Sequence, residues 1–259
     1  MSTAIFNPID MMVIADFDGT FTKKEVLGKK TSSLMTVLVN EKYLGKQGTR
    51  DCQALFEHYY PIEIDPHLPQ PEKAILMHEW WYKTFEVLKK SGLTREMLLE
   101  VCDSPLLAWR DGLLDFLRLL EQQKIPLIIF SAGGFGQLAI EYLLSKIGLF
   151  GPNVQVMSNR LVFDDQGKFV EIVEPIIHIA NKTSEVLIRN GLLPIKPERR
   201  QCLLIGDTLE DDQMVQGLDF ELIHKVAFAG HNDAHFEERF DLVLGKDAGY
   251  EQISALISS

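Results

Sequence analysis

The chain has 259 residues, 46% of them hydrophobic, and a formal net charge of −11, so it can bury one sizeable core with room for a second, smaller unit. That acidity argues against a surface for polymeric DNA or RNA, whose affinity rests on many lysine and arginine contacts to phosphate, though not against one small phosphate in a local pocket. Cys52, Cys102 and Cys202 lie far apart without Cys-x-x-Cys spacing, no apolar run approaches the ~18 residues of a membrane span, and the N-terminus lacks a signal-peptide pattern; a soluble, cytoplasmic protein with reduced thiols and no membrane partner is expected.

In chain order, the first element is "MMVIAD" from Met11, an apolar run of strand length. From Thr22 to Arg110 the pattern turns helical, over roughly 32–44, 50–60, 72–90 and 94–102, with the four prolines of "PIEIDPHLPQPEK" expected to interrupt it after Tyr60. Strand-length runs then resume at "IPLIIFSA" from Ile125, "NVQVMSN" from Asn153, "QCLLIGD" from Gln201, "ELIHKVAFA" from Glu221 and "DLVLG" from Asp241, while "FDDQGKFVEIV" reads as a small hairpin. Helical periods such as "GQLAIEYLLSKIG" follow most of these strands. Strand then helix, repeated, predicts an α/β fold: a mostly parallel Rossmann-like sheet, built from residues 1–21 and 110–259, with a helical insertion over 22–109.

Ligands of open α/β sheets bind outside the carboxyl ends of the strands, so the polar residues ending each strand can share one crevice. Those residues are Asp16 and Asp18, then Ser131, then Asp207 in "GDTLEDD", with Lys182 at the start of a helix. Two close carboxylates suit a divalent cation, and Ser131 with free glycine N–H groups suits a phosphate. Each also has a plainer reading: Asp-Gly turns, a serine helix cap, a solvated lysine, an acidic helix N-terminus. Gly134 to Ala139 spells the dinucleotide-binding G-x-G-x-x-A, but the next strand ends in Ser158 and Asn159, with no acid for a ribose. "GDTLEDD" is no EF-hand, since Asp212 stands where that loop needs glycine. His231 and His235 lack a third ligand and read as surface residues.

Together, Asp-x-Asp, Ser, Lys and Gly-Asp-x-x-x-Asp in that order resemble the motifs of the haloacid dehalogenase superfamily. "YYPIEIDP", "EKAILMHEWWYKT", "IPLIIFSAGGFGQLAIE", "NVQVMSNRLVFDDQGK" and "LLIGDTLEDDQM" resemble the cytosolic pyrimidine 5′-nucleotidase family, type III. The resemblance implies a Rossmann-like core with an inserted helical cap, and Mg²⁺-dependent hydrolysis of pyrimidine nucleoside 5′-monophosphates by a monomer. Asp16 would be the nucleophile and Asp18 the acid and base. Mg²⁺ would sit at Asp16, the Asp18 main-chain oxygen and Asp207, with Asp211 orienting a bound water. Lys182, the Ser131 hydroxyl and the Ala132 amide would hold the phosphate. In the cap, Glu63 would read the base and Thr84 stands where the family carries serine. The same superfamily chemistry on 7-methylguanosine monophosphate, a sugar phosphate or phosphoserine is the alternative. Gly19 and Phe21 replace a methionine and a leucine of the family's first motif, and residues 21–49 match it little.

Overall fold

The structure, a computed structural model, describes residues 5–31, 33–65, 67–193, 198–229 and 234–257. Strand β1 (Met11–Ala15) is buried at every position, so both its faces must be covered. The next elements are a two-residue pair, β2 (Glu25–Val26) and β3 (Lys29–Lys30), and four helices: α1 (Leu34–Asn40), α2 (Gly45–Glu63), α3 (Gln70–Lys90) and α4 (Arg95–Cys102). They are followed by α5 (Leu113–Gln122), β4 (Leu127–Phe130), α6 (Gly136–Lys146), β5 (Val154–Met157) and the hairpin β6 (Arg160–Phe163) and β7 (Phe169–Val173). The chain ends with α7 (Ser184–Arg189), β8 (Gln201–Gly206), β9 (Leu222–Ala229), α8 (Ala234–Glu237), β10 (Leu242–Gly245) and α9 (Glu251–Ser254).

The six strands expected from the apolar runs form one sheet, in the order β10-β9-β8-β1-β4-β5, and every neighbouring pair is parallel. Alternation along β1 divides the interior. Met11, Val13 and Ala15 join a cluster with α5, α6 and α9, while Met12 and Ile14 join Leu187 of α7 and Met214 on the other face. β1 lies at the centre with β8 and β4 beside it, which brings the carboxyl ends of those three strands together.

The insertion leaves and rejoins the sheet through a narrow neck. Thr22 bridges Trp109, Lys23 N–H donates to Ala108 (2.8 Å), and Arg110 N–H donates to Phe21 (2.9 Å). Within it, α1 begins only at Leu34, where Ser33 Oγ accepts from Thr36 N–H, and left-handed Lys42 and Gly45 turn the chain into α2 earlier than expected. Helix α2 does not stop at Tyr60. It runs through Pro61 to Glu63, because one proline near the end removes a single donor while Ile64 N–H still bonds Tyr60 (3.2 Å). Pro69 and Pro71 instead start α3, where their missing N–H groups have no intrahelical partner to lose. The hairpin β6–β7 docks on the α3–α4 turn, with Phe169 N–H bonding Leu93 and Arg95 N–H bonding Gly167. Among the described residues no helix is long and apolar enough to cross a membrane, and all three cysteines are free and buried.

Candidate active site

Asp16 directly follows β1, and its N–H extends the ladder to Ile205 of β8 (2.9 Å). Its side chain is buried in a crevice at the strand ends, and Lys182, only 3% exposed, donates to its Oδ1. The same ammonium donates to Asp211 Oδ1 (2.8 Å), and Asp211 Oδ2 accepts from the N–H groups of Asp207 (2.9 Å) and Thr208 (3.0 Å). Asp211 therefore closes a capping box with Thr208 at the start of the 3₁₀ turn Leu209–Val215, and serves the site as well. Asp207 Oδ2 pairs with Lys24 at 2.6 Å.

Asp18 stands against the loop after β4. A Cβ on Gly133 would lie 2.7 Å from Asp18 Oδ2 and 3.1 Å from Ser131 Oγ, so glycine is what lets these groups meet. Ser131 does not cap α6; its Oγ accepts from Gly133 N–H (3.0 Å), so that amide is not free for a phosphate as expected. Ala132 follows Ser131 in the same loop, its carbonyl 3.4 Å from Asn159 Nδ2. The N-terminal amide of α1, Leu34 N–H, donates to Asp18 Oδ1 (3.4 Å).

The charges are unbalanced. Asp16, Asp207 and Asp211 each offer a carboxylate oxygen within 4.8 Å of the others, with Lys182 and Lys24 as the cations paired to them. Burial, then the neighbouring carboxylates, raises Asp16 well above the usual carboxylate range although Lys182 opposes this, and burial likewise raises Asp207. Burial opposes the charge on Lys182 too, but Asp16 and Asp211 outweigh it and hold the ammonium charged. Burial also acts on Asp211, where Lys182 and two backbone amides prevail and keep it ionised. Asp18 is pushed up to about 7, chiefly by burial and further by Asp207, against the Leu34 amide. Asp16 Oδ2 is buried without a hydrogen-bond partner. A buried orphan oxygen beside two further carboxylates is a donor set of hard oxygens that fits a divalent cation.

Helix α3 brings the insertion onto the crevice. A Cβ on Gly134 would lie 2.5 Å from Trp81 Cζ3, so the indole covers the loop after β4. Thr84 is buried one turn further along α3. Trp81 stacks on Phe85 and Trp80, and Trp80 on Tyr59 (centroids 5.7 Å). Glu63, half-buried at the end of α2, has its carboxyl raised to about 7 by burial and then by Glu210, with Lys73 opposing. Lys73 also approaches Glu210, which adjoins Asp211, at 4.0 Å.

Two positioning residues escaped the sequence reading. Asn159 is buried, donates to the carbonyls of Gly133 (3.2 Å) and Ile177 (2.9 Å), and accepts from Ile177 N–H (2.8 Å), tying the loop after β4 to the segment leading to Lys182. Its own carbonyl would lie 1.7 Å from a Cβ on Gly136, which explains the glycine there without a dinucleotide. Arg110, 2% exposed, donates to the carbonyls of Gly19 (Nη2 2.5 Å), Lys246 (2.8 Å) and Ala248 (2.9 Å), and Tyr250 donates to Thr20 (3.1 Å). The turn after Asp18 is thus held from behind. His235 is exposed on α8, and His231 lies outside the described residues.

Known proteins resemble this chain in family and in fold. The family model described as pyrimidine 5′-nucleotidase (UMPH-1) matches residues 19–259. The chain is 32% identical over 252 residues to 7-methylguanosine phosphate-specific 5′-nucleotidase B of Xenopus laevis, covering 95% of this chain and 86% of that one. It is 31% identical over 252 residues to the Homo sapiens 7-methylguanosine phosphate-specific 5′-nucleotidase, covering 95% and 83%. A crystal structure of cytosolic 5′-nucleotidase IIIB bound to cytidine superposes with a TM-score of 0.81 at 28% identity, covering 96% of this chain and 85% of that one. A phosphoserine phosphatase structure, at 16% identity, TM-score 0.58 and coverage of 95% and 98%, shares the fold, which is that of the haloacid dehalogenase phosphatases with their inserted caps.

Proposed function

Because the chain belongs to the pyrimidine 5′-nucleotidase (UMPH-1) family, we propose that it hydrolyses pyrimidine nucleoside 5′-monophosphates to nucleoside and phosphate, with Mg²⁺ and through an aspartyl-phosphate. The observation that supports it most is the buried Asp16 carboxylate, anchored through one oxygen by Lys182 and unpartnered at the other, at the carboxyl end of the central strand. An ionised carboxylate needs no base to act as nucleophile. Burial and the neighbouring carboxylates oppose that charge; Lys182 offsets part of this and orients the carboxylate, and a bound cation would supply the rest. Asp16, Asp207 and the Asp18 main-chain oxygen, with Asp211 beside them, would hold the Mg²⁺, whose charge neutralises the phosphate and lets two anions approach.

In the first half-reaction an Asp16 oxygen bonds to phosphorus as the bond to the nucleoside 5′-oxygen breaks, and Asp18 gives that oxygen its proton. A carboxyl near pKa 7 is populated in both forms at neutral pH, as an acid that must later be a base requires. In the second half-reaction Asp18 takes a proton from water, whose oxygen displaces Asp16 from phosphorus. Ser131 Oγ and the Ala132 amide, with Lys182, would donate to the phosphoryl oxygens, and Trp81 over Gly134 would shield them from water.

Glu63 would select the base by accepting from the amino group of cytosine, with Thr84 lining the same pocket. A second reading, 7-methylguanosine monophosphate, is favoured by the names of the relatives and by the Tyr59, Trp80 and Trp81 rings, since a cationic purine stacks well on an indole and offers N–H donors to a carboxylate. The test is phosphate release from CMP, UMP, 7-methylguanosine monophosphate, phosphoserine and p-nitrophenyl phosphate, with Mg²⁺ and with chelator, beside Asp16→Asn. Mg²⁺-dependent release led by CMP and absent from Asp16→Asn is expected. Release led by the methylated purine favours the second reading, and chelator-resistant release, or activity in Asp16→Asn, would refute the mechanism.

A further inference from the structure

Lys73 is a charged side chain with 3% exposure, and nothing in the motif pattern gives it a task. Its ammonium lies in the first turn of α3 and donates to the main-chain carbonyl of Glu63 at 2.9 Å. Glu63 is the last residue of α2, where carbonyls lack intrahelical partners and a cation complements the helix dipole. The carboxylate that Lys73 approaches, Glu210 at 4.0 Å, sits on the turn that carries Asp211 and follows Asp207. One buried cation therefore joins the end of α2, the start of α3 and the catalytic turn. A buried ammonium held by one carbonyl and a carboxylate 4.0 Å away is weak evidence for a purely stabilising role, since desolvation offsets much of what such contacts return.

We propose that Lys73 is a specificity-determining positioning residue: it fixes the backbone of Glu63 against the catalytic turn, so that the Glu63 carboxylate meets the nucleobase only when the phosphate is seated. The inference rests on the nucleotidase reading of Glu63 and adds the residue through which Glu63 is registered to the phosphate site. A substrate with a base then feels Lys73, and a phosphate ester without one does not.

The experiment compares Lys73→Met, Lys73→Arg and Glu63→Gln with the unmodified protein on two substrates, p-nitrophenyl phosphate and whichever nucleotide the substrate panel favours, with thermal unfolding measured on each variant. Lys73→Met is expected to raise KM for the nucleotide about tenfold, the scale of one charge-assisted hydrogen bond, with kcat and KM for p-nitrophenyl phosphate unchanged. Lys73→Arg, which keeps a buried donor cation, is expected to restore most of it. Equal losses on both substrates would make Lys73 a structural residue and overturn the proposal, as would unchanged kinetics on the nucleotide. If Glu63→Gln raises the nucleotide KM and Lys73→Met does not, the base-reading role of Glu63 stands and the Lys73 inference falls alone. If Glu63→Gln itself changes nothing, both fall.

Discussion

Gly133→Ala separates activity from stability at one atom. The added Cβ would lie 2.7 Å from Asp18 Oδ2, whereas non-bonded heavy atoms prefer roughly 3.5 Å, so the carboxylate must retreat by roughly 0.8 Å. Nothing in the backbone resists the change, since Gly133 is not among the glycines with positive φ, and the group that must give way is the end of a side chain. Removing a glycine from such a position stabilises by up to about 1 kcal/mol through the unfolded chain. A misplacement near 1 Å in a reacting group lowers turnover by about a hundredfold, equivalent to about 2.7 kcal/mol of barrier. Steady-state phosphate release, with a denaturant titration beside it, is expected to show kcat down ten- to a hundredfold and an unfolding midpoint that does not fall. Full activity in Gly133→Ala would refute Asp18 as the proton carrier, and a lowered midpoint would refute the reasoning about the backbone.

Three further outcomes follow from the same geometry. With Asp207 as the proposed metal ligand, Lys24 would compete with the cation for it, so Lys24→Met should tighten Mg²⁺ binding about three- to tenfold by calorimetry; weaker binding would mean that Lys24 assists the ion. Arg110→Met leaves the buried carbonyl of Gly19 and the part-buried carbonyls of Lys246 and Ala248 without their donor and should lower unfolding free energy by about 2 kcal/mol or more in chelator, so a loss under about 1 kcal/mol would contradict the assignment. Burial and Glu210 hold Glu63 neutral below about 7, so the charged, stronger acceptor for a cytosine amino group is gained as pH rises through that value. The ratio of kcat/KM for CMP to that for UMP, which shares the 5′-oxygen leaving group but lacks the amino group, should therefore rise between pH 6 and 8, the ratio cancelling the titration of Asp18; a flat ratio would remove Glu63 from base recognition.

The sheet was legible because strands covered on both faces are apolar throughout, as the inner strands β1, β4 and β8 nearly are, and the outer strands still read as short, largely apolar runs. Alternation of short strands with helical periods then leaves few topologies, and the polar residue closing each run falls at the sheet's carboxyl edge. The insertion was less legible. Its helices are amphipathic on one another as well as on the sheet, so their ends depend on tertiary contacts: α2 passes Pro61 and ends where Lys73 meets Glu63, and left-handed Lys42 and Leu27 make turns that no glycine or asparagine announces. The hairpin β6–β7 lies with the helices it bonds, although its sequence falls in the core half.

What stayed hidden at the site has one physical cause. Asp16, Lys182 and Asp211 find each other through side-chain charge, and charge is visible in a sequence. Asn159, Arg110 and Lys73 act on main-chain carbonyls: Gly133 and Ile177 for the first, Gly19, Lys246 and Ala248 for the second, Glu63 for the third. Every residue carries such an acceptor, so no partner type and no spacing marks the contact beforehand. The consequence is functional. The groups proposed to do the chemistry gather at the carboxyl ends of the strands, from a strand end for Asp16 and from 3₁₀ turns for Lys182 and Asp211, and the groups that register one loop against another are polar, buried and bound to backbone. Substitution of the first kind should abolish turnover on every substrate, whereas substitution of Lys73 should change only which substrate is turned over.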